Sequence, residues 1–143
     1  MRNITTIVLA ILIAGTIGFT ACSTVNTTGL ENTKWTLTSY GKQTSLSPAL
    51  ENTEVTAVFD SGEKRVTGSA GCNNYFAGYE LTGNKLSISP IASTEMYCGE
   101  PAGLMDQEYN YLSLLQRAKT FQIQTDQLLI YTDDEQVIIF DNK

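Results

Sequence analysis

The sequence predicts an α+β domain, an antiparallel β-sheet carrying one amphipathic helix. Two observations lead there. Most of the chain after residue 33 repeats apolar side chains with period two, in short β-branched and aromatic runs bounded by Gly, Asn and Asp. One segment, "PAGLMDQEYNYLSLLQRAK", breaks that period, holds no β-branched residue and ends on basic side chains.

The elements follow in chain order. "KWTLTSY" alternates Trp35, Leu37 and Ser39 against Thr36, Thr38 and Tyr40. "EVTAVFD" sets Val55, Ala57 and Phe59 on one face, "SGEK" turns the chain and "RVTGS" returns it. "GYEL" and "KLSIS" flank the turn signal "TGN". In the helical segment Pro101 suits the first turn. At 100° per residue, Leu104, Met105, Tyr111, Leu112, Leu115 and Ala118 share a broad apolar face. Glu108 falls in the middle of that face. A carboxylate there must be paired or hydrogen-bonded. One reading has it accept backbone N–H groups from the Gly71–Asn74 turn and lock helix to sheet; the other has it face a ligand in a cavity. "FQIQT", "QLLIY" and "QVIIF" close the chain, with "DDE" as the last turn.

Ahead of the domain, "MRNITTIVLAILIAGTIGFTAC" has one arginine, an apolar run from Ile7 to Phe19, and small residues before Cys22. This is the layout of a secretory signal peptide. The run falls short of the roughly 20 apolar residues that span a bilayer. "FTAC" resembles a bacterial lipobox, with Phe19 where leucine is usual. Residues 1–21 are thus expected to be a lipoprotein leader, Cys22 the lipid-modified first residue, and residues 22–32 a flexible tether to a domain at 33–143. The membrane is reached through the lipid on Cys22. No aspartate follows Cys22, so the expected site is the cell envelope, at the outer membrane and facing the periplasm.

Composition excludes several functions. The chain has 9 basic and 15 acidic residues, a net charge of −6. Loss of Arg2 with the leader leaves eight basic against 15 acidic side chains, or −7. Nucleic acid, whose phosphates demand a basic face, is not expected as a partner. There is no histidine. A Ser–His–Asp triad is therefore impossible, and a cysteine nucleophile lacks its usual base. Two thiolates alone do not close a zinc site, so no metal and no cofactor are expected. Cys72 and Cys98 are an even pair in an exported chain and read first as a disulfide, worth ~3 to 4 kcal/mol on the chain-entropy model, with two free thiols as the rival.

The stretch "GSAGCNNYFAGYEL" tests whether chemistry hides in the turns. Its glycines lead into a strand, whereas a phosphate loop leads into a helix with a lysine nearby. A strand–turn–strand scaffold accounts for more of its residues. Gly68, Gly71 and Gly78 permit positive φ and close backbone approach. Asn73 and Asn74 suit a turn, and Tyr75, Phe76 and Tyr79 can line a core or its rim.

These residues also carry a resemblance. "KWTLTSY", "GSAGCNNYFAGYEL", "KLSISPIASTEMYC", "QEYNYLSLLQRAKTFQI" and "QLLIYTDDEQVIIF" stand in the order and spacing of the META/HslJ family, small bacterial exported or lipoprotein domains. The resemblance spans residues 33–141. It implies a barrel-like, curved antiparallel sheet with one helix packed on it, and marks Trp35, Gly71, Asn73, Tyr75, Gly78, Tyr79 and Glu108 as structural motif positions. The family is linked with heat shock, novobiocin tolerance and parasite virulence, and its fold looks like that of a lipid-binding secretin pilot protein. No reaction comes with it. The chain is accordingly read as a non-enzymatic envelope lipoprotein that binds a partner protein or a hydrophobic ligand. An inhibitor of an extracellular enzyme such as lysozyme, or a carboxylate-dependent enzyme, are the alternatives.

If Cys22 carries the lipid, Cys22→Ala should move the protein from the membrane fraction to the soluble fraction. A variant that stays membrane-bound would overturn the lipobox reading.

Overall fold

The structure, a computed structural model, describes residues 29–142. The leader, Cys22 and the tether as far as residue 28 lie outside the described residues. The elements run β1 (Lys34–Lys42), β2 (Ser45–Pro48), β3 (Thr56–Asp60), β4 (Arg65–Ser69), β5 (Asn74–Thr82), β6 (Lys85–Ile88), β7 (Ala92–Ser93), α1 (Leu104–Gln116), β8 (Ala118–Gln124), β9 (Gln127–Thr132) and β10 (Gln136–Asn142).

Strands pair antiparallel in the order β10-β9-β8-β6-β5-β4-β3-β1-β2, and β1 also pairs with β10. That last pairing, from Trp35↔Asn142 to Lys42↔Gln136, closes an eight-stranded barrel. β2 lies outside the ring on the far half of β1, and β7 flanks the start of β5. The ring is thinnest between β6 and β8, which share one register pair, Lys85↔Thr120.

The period-two pattern produces this closure directly. On β5, Tyr75, Ala77 and Tyr79 point inward while Asn74, Phe76 and Glu80 point out. Trp35, Phe59, Phe121, Phe140, Leu128, Ile130 and Ile138 fill the interior and are at most 2% exposed. A close backbone approach fixes one glycine: a Cβ on Gly68 would lie 1.9 Å from the Thr56 carbonyl oxygen.

β3 begins, β4 ends, β5 begins and β6 ends at the same end of the barrel, and α1 lies across that end. Its buried face is Leu104, Gln107, Glu108, Tyr111, Leu114 and Leu115. This shifts the expected phase. Met105 and Leu112 are only half-buried, whereas Leu114 is buried. Ala118 belongs to β8, and Pro101 precedes a helix that starts at Leu104. The shift is toward Gln107, which turns inward to reach Leu50 N–H and Thr53 Oγ1 and brings Leu114 in on the same side, while Glu108 stays within the buried face as expected.

The domain also starts earlier than residue 33. Leu30 is fully buried, and Trp35 Nε1 donates to its carbonyl at 3.0 Å. Asn32 N–H donates to Phe59 O, and the Glu31 carboxylate accepts from Lys64 and from the Tyr79 hydroxyl. The Lys64 and Tyr79 hydrogen bonds hold the Glu31 carboxyl below the usual carboxylate range. A carboxyl whose pKa is depressed by folding stabilises the fold above its unfolded value, and that contribution is lost as pH falls. Residues 29–32 are thus part of the barrel's far end, where β3 stops and β4 starts. "GLEN" looked like linker because its polar residues hide one buried leucine.

Leu115, fully buried under the helix, should cost ~2 to 5 kcal/mol on replacement by Ala, and half-buried Leu112 distinctly less. Denaturant titration measures both. A loss well under about 1 kcal/mol at Leu115 would mean that the helix is not part of the cooperative core.

Candidate functional site

Four helix side chains make polar contacts with the barrel end. Gln107, 2% exposed, accepts from Leu50 N–H at 2.7 Å and donates to Thr53 Oγ1 at 3.2 Å. The Tyr111 hydroxyl meets the Tyr75 hydroxyl at 2.6 Å, and Tyr75 donates to Thr56 O at 2.9 Å. Burial pushes both phenols up from their ordinary pKa, so they stay neutral hydrogen-bonding groups. Gln116 accepts from Ile91 N–H and donates to Ile88 O and Ser89 O.

Glu108 holds the centre. It is 6% exposed. Oε2 accepts from Cys72 N–H at 3.1 Å and Asn73 N–H at 2.7 Å; Oε1 accepts from Asn73 Nδ2 at 2.7 Å. The turn presents these donors because Gly71 sits at φ +116°, a conformation that L side chains rarely adopt. A Cβ there would also lie 2.6 Å from Leu104 Cδ1.

Asn73 carries the connection outward. Its Nδ2 donates a second bond to Met96 O at 3.0 Å, and its Oδ1 accepts from Met96 N–H and Thr94 Oγ1, both at 2.7 Å. The side chain of an asparagine has two N–H groups and two lone pairs, and all four are engaged. Thr94 N–H donates to Asn74 O, and Cys72 is disulfide-bonded to Cys98 with Cα atoms 5.9 Å apart. Residues 92–98 therefore form a strap held against the barrel end by Asn73, the short β7 pairing and the disulfide. Met96 and Tyr97 nonetheless stand 55% and 84% exposed. Tyr109, next to Glu108 on the helix, is 75% exposed, and Phe76, beside β7, is 50% exposed beneath the Arg65 guanidinium.

The other residues singled out by sequence have separate places. Trp35 lies in the barrel core, bonded to Leu30. Tyr79 binds Glu31 and Asp60 O near the far end. Gly78 O accepts from Ser89 N–H and from Ser89 Oγ at 3.0 Å. Gln107 and Gln116 went unread in the sequence. For Gln107 the signal was present, since it follows Leu104 by three residues and so shares the stripe that drew attention to Glu108.

Chemically this arrangement is a bracket. Among the described residues every buried side-chain nitrogen and oxygen has a hydrogen-bond partner, and no group of three or more His, Cys, Asp or Glu could hold a metal. One surface cleft, of about 530 Å³, is lined by the polar residues Lys42, Gln43, Thr44, Asp134 and Glu135.

Glu108→Gln replaces one acceptor oxygen by an amide that faces donors. Stability should fall by ~1 to 3 kcal/mol, and exchange at the Cys72, Asn73 and Met96 amides should accelerate. Unchanged stability and exchange would overturn the bracket.

The family model of the META domain matches residues 28–143. No curated protein matches the sequence. Among solved structures, the NMR structure of a protein from Burkholderia xenovorans is similar at TM-score 0.67 and 24% identity, covering 80% of this chain and 83% of that one. A second NMR structure reaches TM-score 0.60 at 18% identity, over 78% of this chain and 90% of the other. A crystal structure of a DUF4847 family protein from Bacteroides vulgatus gives TM-score 0.57 at 12% identity, over 80% and 94%. At these identities the likeness concerns the fold, whereas the family model spans the whole described domain and more than half of the sequence: the chain belongs to the META domain family.

Proposed function

We propose that this META domain is a non-enzymatic binding module of the cell envelope, anchored through a lipid on Cys22 at the outer membrane, and that it docks a partner protein on the strap at residues 92–98. The observation that carries this reading is the contrast between bracing and exposure. A disulfide and a buried asparagine with every side-chain polar atom engaged, itself fixed by a buried glutamate, hold one short segment, and that segment holds a methionine and a tyrosine out in water. Exposed large apolar side chains on an ordered backbone are what a binding surface needs. Tyrosine is enriched among the residues that dominate interface energy, and a rigid segment loses little entropy on association.

A hydrophobic ligand inside the barrel fits less well. Trp35, Phe59, Phe121, Phe140 and Tyr111 occupy the interior, and admitting a ligand would require displacing close-packed rings.

The test is a comparison of the lipidated wild type with Met96→Ala/Tyr97→Ala, each recovered from envelopes after mild cross-linking. The variant should fold normally, because both side chains are exposed, and should lose the protein that wild type retains. Equal recovery by both would overturn the strap as the docking surface.

A further inference from the structure

We propose that the partner face docked by the strap is cationic and belongs to a soluble protein rather than to the membrane. This rests on the strap being the docking surface and adds the chemistry of what it binds.

The charge along the chain around the strap is one-sided, although across β5 the Arg65 guanidinium lies over Phe76 beside β7. Between Lys85 and Arg117 the chain carries Glu95, Glu100, Asp106 and Glu108 and no lysine or arginine. Glu108 is spent on the turn, but Glu95 and Glu100 flank Met96 and Tyr97 and are exposed. Some acids elsewhere have cations at hand, as Glu54 has Lys34, Glu31 has Lys64 and Asp134 has Arg117, while others such as Glu51 and Glu80 do not. Among the described residues neither Glu95 nor Glu100 has an ion-pair partner. The braced methionine and tyrosine thus sit between two free carboxylates, in a chain whose net charge is −6. Such a face repels anionic lipid headgroups and complements lysine- or arginine-rich protein. Tyr97 and Met96 would supply the desolvated contact, and Glu95 and Glu100 the steering and selection.

The fold adds a geometric reason. Residues 29–32 are fixed at the end where β3 stops and β4 starts, through Leu30, Glu31 and Asn32. The strap is fixed at the opposite end, at the start of β5, through Asn73 and Asn74. A lipid on Cys22 is seven residues from Gly29, a reach of at most ~25 Å at full extension. The strap is thus at the end of the barrel opposite to the one where residues 29–32 enter it.

Site-specific photo-cross-linking in the lipidated, full-length protein tests this. A photoreactive residue is placed at Tyr97, and a control at Gln127, which starts β9 at the tether end. Tyr97 should yield a protein adduct whose partner has an isoelectric point above neutrality. Its yield should drop at least about tenfold between roughly 0.05 M and 0.5 M salt, where screening shortens from beyond 10 Å to a few ångströms. Glu95→Lys/Glu100→Lys should abolish it while the melting temperature stays unchanged. Protein adducts with an acidic partner, or adducts insensitive to salt and to charge reversal, would overturn the cationic face and leave the strap as a docking surface. Lipid adducts alone, or no adduct at Tyr97, would overturn the docking surface itself.

Discussion

The buried carboxylate of Glu108 is the constraint around which one end of the barrel is organised. A carboxylate removed from water without partners destabilises a fold by several kcal/mol, and charge-assisted bonds to several donors offset that cost. Three donors come from two consecutive residues, Cys72 and Asn73. Their N–H groups can both face the helix only because Gly71 takes up the left-handed backbone before them. With the backbone fixed, the Asn73 side chain has one place to go, between the helix and residues 94–96. Helix, turn and strap are therefore coupled through four polar atoms, and disturbing any of them strands a buried group.

The barrel supplies the frame for this coupling. Its closure by β1 against β10 pairs every strand of the eight-stranded ring on both sides, leaves only the short β2 and β7 outside it, and encloses a core of aromatic and branched side chains. A closed ring still has two ends. At one end α1 covers the core with Leu104, Tyr111, Leu114 and Leu115. The edge-to-face pairs of Tyr111 with Tyr75 and Phe140 join helix and barrel rings into one apolar cluster. At the other end the segment at residues 29–32 lies over β3 and β4, with Leu30 inside and Glu31 clamped by Lys64 and Tyr79. The cover of each end combines apolar burial with a carboxylate held by named donors.

How much of this was legible in the sequence depended on the kind of signal each element carries. Strands with alternation, such as Val55, Ala57 and Phe59, were readable because one face must be buried. The Gly83 and Asp133–Glu135 turns were readable because Gly, Asn and Asp mark reversals. β2 and β7 were silent: "SLSP" and "AS" are exposed, so no burial pattern writes them. The helix was readable as a helix, but its phase was misjudged by hydrophobicity alone, because Gln107 is buried for its hydrogen bonds. That placed Met105 and Leu112 too deep and left out Leu114. Leu30 was lost among polar neighbours, since one buried residue makes no period. Glu108 itself was legible because a charge in an apolar stripe demands an explanation, and the candidate donors were few.

The position of the disulfide follows from the same accounting of burial. The barrel and helix have a contiguous apolar core and are held by packing and ladder hydrogen bonds. The strap has neither: Ala92 to Tyr97 are all exposed, and its ladder is two register pairs long. A segment that buries almost nothing cannot offset the conformational entropy lost in ordering it by hydrophobic means. What remains is polar and covalent: the four bonds of the Asn73 side chain and a cross-link that closes a 26-residue separation between Cys72 and Cys98. Cys72 is also the residue whose N–H binds Glu108, so the cross-link and the carboxylate act on one point of the backbone. The strap thus leans on the cross-link and on the Asn73 bonds, while the barrel beneath it is held by its packed core.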